Sequence, residues 1–409
     1  MAACGPDTDV ESAGREPAAV VGSACTISER SRTPVTLPGG TQVYVEPHGL
    51  ALLDSGFLLA GQPAFEWTVD SSSPSTMAGA GGFLGVRIQA DSTLRVPYPP
   101  GLDQQPDWVR LVSLGPTRWG GLLQEGTAPP ASGRIVYAEY DGATWSAVEP
   151  LPLPQDGLLD LATGSSLLLD GLGRVVWAAR VERPTGRVDV VMFRRAVGGW
   201  TSDVVARDWV DDPELHPRGS EGLWLAVAGL DPEHESRVAS VRVRAVGAPG
   251  EPVTLMVGLP GERFQDPTFA GGGDRLSIAW RHVGAAGVVA PVWLQRDLGA
   301  AVELGEANAP PVLLDPGAVL LQALRAPDGS TLWVTHHVSA VTESETLRFT
   351  RDDGARLTLV AEVAYPWVGP FRAAIADSGD ILVVGPQVDA DPLFPSVRSL
   401  VLRLNLSCT

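Results

Sequence analysis

The chain has 409 residues, long enough for two or three ordinary domains or for one large all-β unit. Charged residues make up only 19%, and 48 acidic residues against 30 basic ones, all of them Arg, leave a formal net charge of −18. A chain this acidic repels phosphate backbones, so no nucleic-acid partner is expected. Its 46 Gly and 35 Pro, without a collagen-like period, point to short strands and many turns.

Residues 1–24 form the first expected unit, a tether rich in Ala, Gly, Pro, Ser and acidic residues. Its opening Met1-Ala2-Ala3-Cys4-Gly5 resembles the end of a bacterial lipoprotein signal, in which small residues precede a Cys that becomes lipidated. That resemblance implies lipidation at Cys4, export to the periplasm, outer membrane or cell surface, and membrane contact only through the anchor.

Residues 25–409 are expected to form a single domain, because a repeat runs through them. Its first half is an apolar strand, an Asp-Gly turn and a second apolar strand. Copies stand at Leu50-Ala-Leu-Leu-Asp54-Ser-Gly56, Leu167-Leu-Leu-Asp170-Gly-Leu-Gly173, Leu324-Arg-Ala-Pro-Asp328-Gly329 and Ala373-Ala-Ile-Ala-Asp377-Ser-Gly379. Asp can bond its own following backbone and Gly accepts positive φ, so these residues are read as turn formers. The second half is an alternating strand, a tight turn and a closing strand, as at Arg134-Ile-Val-Tyr-Ala-Glu-Tyr-Asp141-Gly142 and Leu347-Arg-Phe-Thr-Arg-Asp352-Asp353-Gly354.

Whole units fall near 41–98, 108–152, 158–206, 214–258, 265–305, 311–363 and from 367 to the end. Seven units of four short strands predict an all-β, seven-bladed β-propeller of antiparallel blades. The last unit lacks a fourth strand, and Arg32-Thr-Pro-Val-Thr-Leu37 fits that place, closing the ring. The closure would bring Cys25 beside Cys408 as a disulfide, worth about 4 to 5 kcal/mol in a chain-entropy account, in an oxidising compartment.

Loops joining strands two and three, and loops between blades, would open on one face. Strand-two ends supply Gln62, Gln124 with Glu125, Arg180, Arg281 with His282, His336 with His337, and Gln387. Loops between units supply Asp107, Asp160, Asp211 with Asp212, Asp266 and Asp315. From these, Glu125, Asp212, Asp266, Arg281, His282, His337 and Gln387 are the candidate ligand-binding residues. Converging carboxylates could serve as an acid and base pair. No His-Glu-x-x-His, Cys-x-x-Cys, EF-hand or Gly-x-Ser-x-Gly motif occurs, so no metal, cofactor or serine nucleophile is expected.

The segment Tyr140-Asp141-Gly142-Ala143-Thr144-Trp145 resembles the Asp-box turn of sialidase-type propellers, one residue short between Asp and Trp. The resemblance implies fold rather than activity, since such a turn is structural. Trp177, Trp224, Trp280 and Trp333 fall at differing offsets along strand two, which predicts packing between blades rather than a repeated sugar platform. The expected function is a monomeric, envelope-tethered scaffold binding a protein or carbohydrate. The alternative is a sialidase-like or arabinanase-like glycoside hydrolase, or a lectin.

Overall fold

A computed structural model describes residues 25–38, 42–53, 56–68, 76–79, 83–89, 92–102, 106–125, 134–154, 157–160, 165–207, 213–220, 222–230, 239–247, 251–271, 275–284, 290–304, 310–338, 345–364, 371–389 and 396–408. Cys4 and the expected tether lie outside the described residues.

Almost every described element is a strand, and the strands form an all-β propeller of four-stranded antiparallel blades. The first sheet orders β2 (Gln42–Leu53), β3 (Gly56–Thr68), β5 (Phe83–Gln89) and β6 (Thr93–Pro97), with β4 (Thr76–Gly79) paired to β3. The second runs β7 (Pro106–Ser113), β8 (Trp119–Glu125), β9 (Arg134–Tyr140) and β10 (Glu149–Pro150). The third runs β11 (Leu158–Asp160), β13 (Val175–Glu182), β14 (Val188–Ala196) and β15 (Gly199–Arg207), with β12 (Leu168–Leu169) on β13. The fourth runs β16 (Pro213–Arg218), β17 (Gly222–Leu230), β18 (Ala239–Ala245) and β19 (Val253–Val257).

The seven separate sheets expected from the repeats are not what forms. Five sheets follow a four-strand path, and a sixth is one continuous run of seven strands. It comprises β20 (Arg263–Ala270), β21 (Ser277–Val283), β22 (Ala290–Gln295), β23 (Val312–Arg325), β24 (Thr331–Val338), β25 (Glu345–Asp352) and β26 (Leu357–Ala364). The end of the expected 265–305 unit is a helix, α1 (Leu298–Leu304), built on Leu-Gly-Ala-Ala-Val-Glu-Leu. Ala, Leu and Glu favour helix over strand. The outer neighbour of β22 is therefore the start of β23, at Val292↔Asp315 and Leu294↔Val312, and the same strand continues at Ala318↔His337 into pairing with β24.

The last sheet runs β27 (Arg372–Ile375), β28 (Asp380–Asp389), β29 (Ser396–Cys408) and then β1 (Cys25–Pro34). The N-terminal strand thus begins at Cys25, not at Arg32. Cys25 and Cys408 face each other as a register pair and form the expected disulfide. The strand Cys-Thr-Ile-Ser-Glu-Arg-Ser-Arg-Thr-Pro is polar because it is an outer strand with side chains in water. Val35 and Leu37, the end of the expected strand, are buried in an apolar cluster with Leu382, Val384 and Val401 of the last sheet and Phe57, Leu59 and Val86 of the first.

Alternate side chains on each strand enter clusters shared with neighbouring sheets. Trp119 sits between the first and second sheets, Trp177 between the second and third, Trp280 against the fourth, and Trp333 within the seven-stranded sheet. All four are fully buried, in agreement with the packing role expected for Trp177, Trp280 and Trp333.

Candidate functional site

Asp141 shows why the Asp-box-like turn is structural. Its Oδ1 accepts from the Ala143 and Thr144 N–H groups, its Oδ2 accepts from the Thr144 hydroxyl, Gly142 takes φ +99°, and Trp145 tucks against the Tyr140 ring. These donors hold the Asp141 carboxyl below its ordinary range, the Thr144 N–H being the strongest contributor.

The candidate residues do not converge on one point. Glu125 is buried at the end of β8 and pairs with Arg134 at 2.9 Å in the second sheet. Gln387 accepts from Arg398 Nε at 3.3 Å in the last sheet. Asp212 lies outside the described residues. Asp266 and Asp315 are in strands rather than loops, in β20 and β23. The structure instead gathers Asp266, Arg281, His282 and His337 around the seven-stranded sheet, as three separate pairs of a carboxylate with an Arg or His side chain.

The first pair is Asp266 with Arg281. Asp266 adopts φ +51° before Pro267, where β20 bulges between Gln265 and Thr268. A residue before proline is pushed toward extended backbone, so a left-handed Asp here is strained by roughly 1 to 3 kcal/mol. Arg281 holds it, bonding Asp266 Oδ2 through Nε and Gln265 Oε1 through Nη2 at 3.0 Å. The second pair is His282, whose Nε2 lies 3.1 Å from Glu262 Oε2 with its ring tilted against Phe264. Glu262 also accepts from the Leu259 N–H, and that bond first, then His282, keeps its carboxyl below the ordinary range.

The third is the most developed. Trp333, Thr335 and His337 stand at alternate positions of β24 and so share one face. Arg281, Val292 and Asp315 are register partners and share the face opposite. Deep between these faces, Ala279, Val292, Leu294, Leu321 and Trp333 form an apolar floor. Above it Asp315, 2% exposed, accepts from Thr335 Oγ1 at 2.6 Å, from the Gly317 N–H at 2.9 Å and from His337 Nδ1 at 2.9 Å. The Gly317 bond is the side-chain turn that an Asp-Pro-Gly sequence favours. Arg348, the register partner of Thr335, places Nη1 3.5 Å from Asp315 and bonds Glu362 through Nε.

This geometry assigns the His337 tautomer. Arg348 Nη1 is 3.0 Å from Nδ1, but a guanidinium only donates. A bare Nδ1 would face the Asp315 carboxylate lone pair at 2.9 Å, so Nδ1 carries the proton and donates it to Asp315. In the neutral ring the other nitrogen, Nε2, then holds the lone pair. His337 keeps 12% of its side chain exposed and has its Nδ1 oriented by a buried carboxylate, the arrangement that orients an imidazole base.

His336 points to the opposite face, with Nε2 2.9 Å from Glu345, and burial pushes its imidazolium down. Sequence reading had found Asp315 and His337 but missed Thr335, Arg348 and Glu362. Only the strand register joins them, and no local motif carries it. A cluster of Cys25, Asp328 and Cys408 brings ligand-type atoms within 4.8 Å, but the two sulfurs are bonded to each other and are not thiolate ligands.

These sheets define the class of protein as a β-propeller, and solved structures of that shape superpose on it. One is a protein of unknown function from Dyadobacter fermentans, with a TM-score of 0.50 and 14% identity over 73% of this chain and 94% of that one. Another is the polysaccharide lyase Uly1, with a TM-score of 0.51 and 8% identity over 88% of this chain and 90% of that one. An α-L-arabinofuranosidase from Fusarium graminearum superposes less well, at a TM-score of 0.48 and 13% identity over 75% of this chain and 95% of that one. At such identities the likeness shows the fold alone. No protein-family profile and no curated protein sequence matches the chain.

Proposed function

We propose that the protein is a carbohydrate-active propeller in which His337 is the proton acceptor in an elimination on an acidic polysaccharide. The observation that carries this is the Asp315–His337 pair, a buried carboxylate that fixes one imidazole nitrogen and leaves the other as a base. His337 Nε2 would take the proton from the sugar carbon bearing the carboxylate. The bond from the adjacent carbon to the glycosidic oxygen then breaks, its electron pair leaves with the oxygen, and a carbon–carbon double bond remains. The proton on His337 is returned to the departing oxygen.

Hydrolysis by two carboxylates is less well supported. A glycosidase needs one carboxyl held neutral by a raised pKa. Glu262, held below the ordinary carboxylate range by the Leu259 N–H and then His282, does not fit that role, and Asp266 and Asp315 are already engaged by Arg281 and by Thr335, Gly317 and His337. The same engagement favours a second reading, binding of the polysaccharide without turnover. Product mass separates the three. Elimination gives fragments one water lighter than hydrolysis, whereas a binding protein retains the intact polymer.

We also infer that the ring has seven blades, with the seven-stranded sheet acting as two four-stranded blades, β20–β23 and β23–β26, that share β23. In support, Pro316-Gly317 interrupts β23 between its two pairings, and an apolar cluster lies between its halves. Closure through β1 is supported by its pairing to β29 and by the cluster shared between last and first sheets. Export is the reading the Cys25–Cys408 disulfide favours, and lipidation at Cys4 is proposed with it from the Met1–Gly5 resemblance. A lipid-modified intact mass on protein recovered from the envelope is expected, and an unmodified Cys4 there would refute it.

A further inference from the structure

Outside the His337 region, one cluster of ligand-type side chains stands where the chain ends meet the turn between β23 and β24. Cys25 opens β1 and Cys408 closes β29, directly opposite each other in the last sheet. The turn brings Asp328 beside them from the seven-stranded sheet, so that one ligand atom from each residue lies within 4.8 Å of the other two. Cys408 and Asp328 are exposed and Cys25 is half-buried, which leaves the cluster open to solvent. Among the described residues, no other three His, Cys, Asp or Glu side chains come together so closely.

While the disulfide stands, neither sulfur carries a charge. A dithiol reductant changes that, giving two electrons and two protons to the bond, closing to a disulfide itself and leaving two thiols. The thiols stay side by side, because the backbone pairing from Thr26↔Ser407 to Pro34↔Leu400 holds the two strands in register. Asp328 keeps room for a cation. Its Oδ1 accepts from the Ser330 N–H and hydroxyl and its Oδ2 from Arg351 Nη2 at 2.8 Å, which leaves one of the carboxylate's four lone-pair positions on Oδ2. The charges also balance, two thiolates and a carboxylate against a divalent ion and the Arg351 guanidinium.

We propose that the reduced protein binds a soft divalent ion such as zinc through Cys25, Cys408 and Asp328, so that a metal replaces the disulfide as the clasp between the chain ends. Thiolates select such ions over calcium and magnesium. Tetrahedral zinc, with bonds of about 2.0 to 2.3 Å, sets neighbouring ligand atoms about 3.5 to 4 Å apart, which fits inside the 4.8 Å span of this cluster. Binding displaces both thiol protons to solvent, and water completes the fourth position. The ion ties the last sheet to the seven-stranded sheet, a link the disulfide does not make. The site shares no residue with the His337 array and stands whether or not His337 catalyses anything.

Zinc titration tests it on the full chain carrying Cys4→Ser, reduced with a dithiol, freed of it and kept under nitrogen. The reduced chain takes up a single ion with release of about two protons, the oxidised chain takes up none, and zinc raises the urea midpoint of the reduced chain. Asp328→Asn, in which Asn still serves the turn, weakens zinc binding about tenfold or more, no less than loss of a ligand's outer partner costs. Cys408→Ser, which leaves the turn untouched, weakens it at least as much, and His337→Asn takes up zinc like the parent. No uptake by the reduced chain, parental affinity in either Asp328→Asn or Cys408→Ser, or a urea midpoint unmoved by zinc overturns the proposal.

Discussion

Replacing Asp315 with Asn probes the array most sharply, because it keeps the shape and removes the charge. Asp315 accepts three hydrogen bonds from Thr335, Gly317 and His337 while almost fully buried. Bonds to a charged acceptor are worth about 1.5 to 3 kcal/mol each, and an Asn amide oxygen can recover part of that total. Its NH₂ group would meet donors rather than acceptors, and Arg348, 3.5 Å away, would lose one of its two carboxylate neighbours. The expected loss is about 3 to 5 kcal/mol, the range for breaking a buried charged pair. Urea unfolding followed by circular dichroism measures it, with Thr335→Val, which removes one bond, expected at about 1 to 2 kcal/mol. Nitrogen NMR of His337 gives a second readout. The parent shows the proton on Nδ1, and Asp315→Asn releases that preference. A loss under about 1 kcal/mol with the tautomer unchanged would refute the account of Asp315 as the organising acceptor.

Three further outcomes follow from local geometry. Reducing the Cys25–Cys408 bond, or replacing both residues with Ser, frees ends 383 residues apart and should cost up to about 5 kcal/mol, seen as a lower urea midpoint; an unchanged midpoint would mean the β1–β29 pairing alone holds the ends. Gly379→Ala should destabilise by more than about 1 kcal/mol in the same assay, because the residue has φ +83° and a Cβ there would stand 2.5 Å from the Leu406 carbonyl oxygen. Burial pushes the His216 imidazolium below the ordinary histidine value of about 6.5, although the Gly271 carbonyl 2.6 Å away opposes the shift. Because the folded pKa is the lower one, His216 contributes stability that is complete above pH 6.5 and is lost as pH falls through the folded value, and His216→Gln should flatten that part of the stability–pH curve.

Much of the fold was legible because blades are written locally. Asp-Gly turns and alternating strands such as those around Asp141 and Asp353 specify hairpins from neighbouring residues, and the structure shows both carboxylates capping the turn N–H groups that follow. The disulfide was legible because few cysteines exist and only the chain ends offered a pair. What failed was non-local. The closing strand, expected from Arg32, starts instead at Cys25, because an outer strand carries polar residues on both faces and the apolar pattern that would mark its start is absent. The merged sheet was hidden because Leu298–Leu304 fits the spacing of a fourth strand while its residues prefer a helix. In the candidate site, Asp315 and His337 could be named from the sequence, but Arg348 and Glu362 meet them only through the pairings Thr335↔Arg348 and Arg348↔Glu362. Strand register of that kind has no sequence signature of its own.

The most direct test of the central claim is the rate at which unsaturated sugar ends appear when the protein is incubated with acidic polysaccharides, followed by their ultraviolet absorbance. The account predicts turnover by the parent chain and a loss of about a hundredfold or more in His337→Asn, the usual scale for removing a general base, with that variant as stable to urea as the parent. Equal rates in the two proteins, or products carrying the added water of hydrolysis, would contradict it.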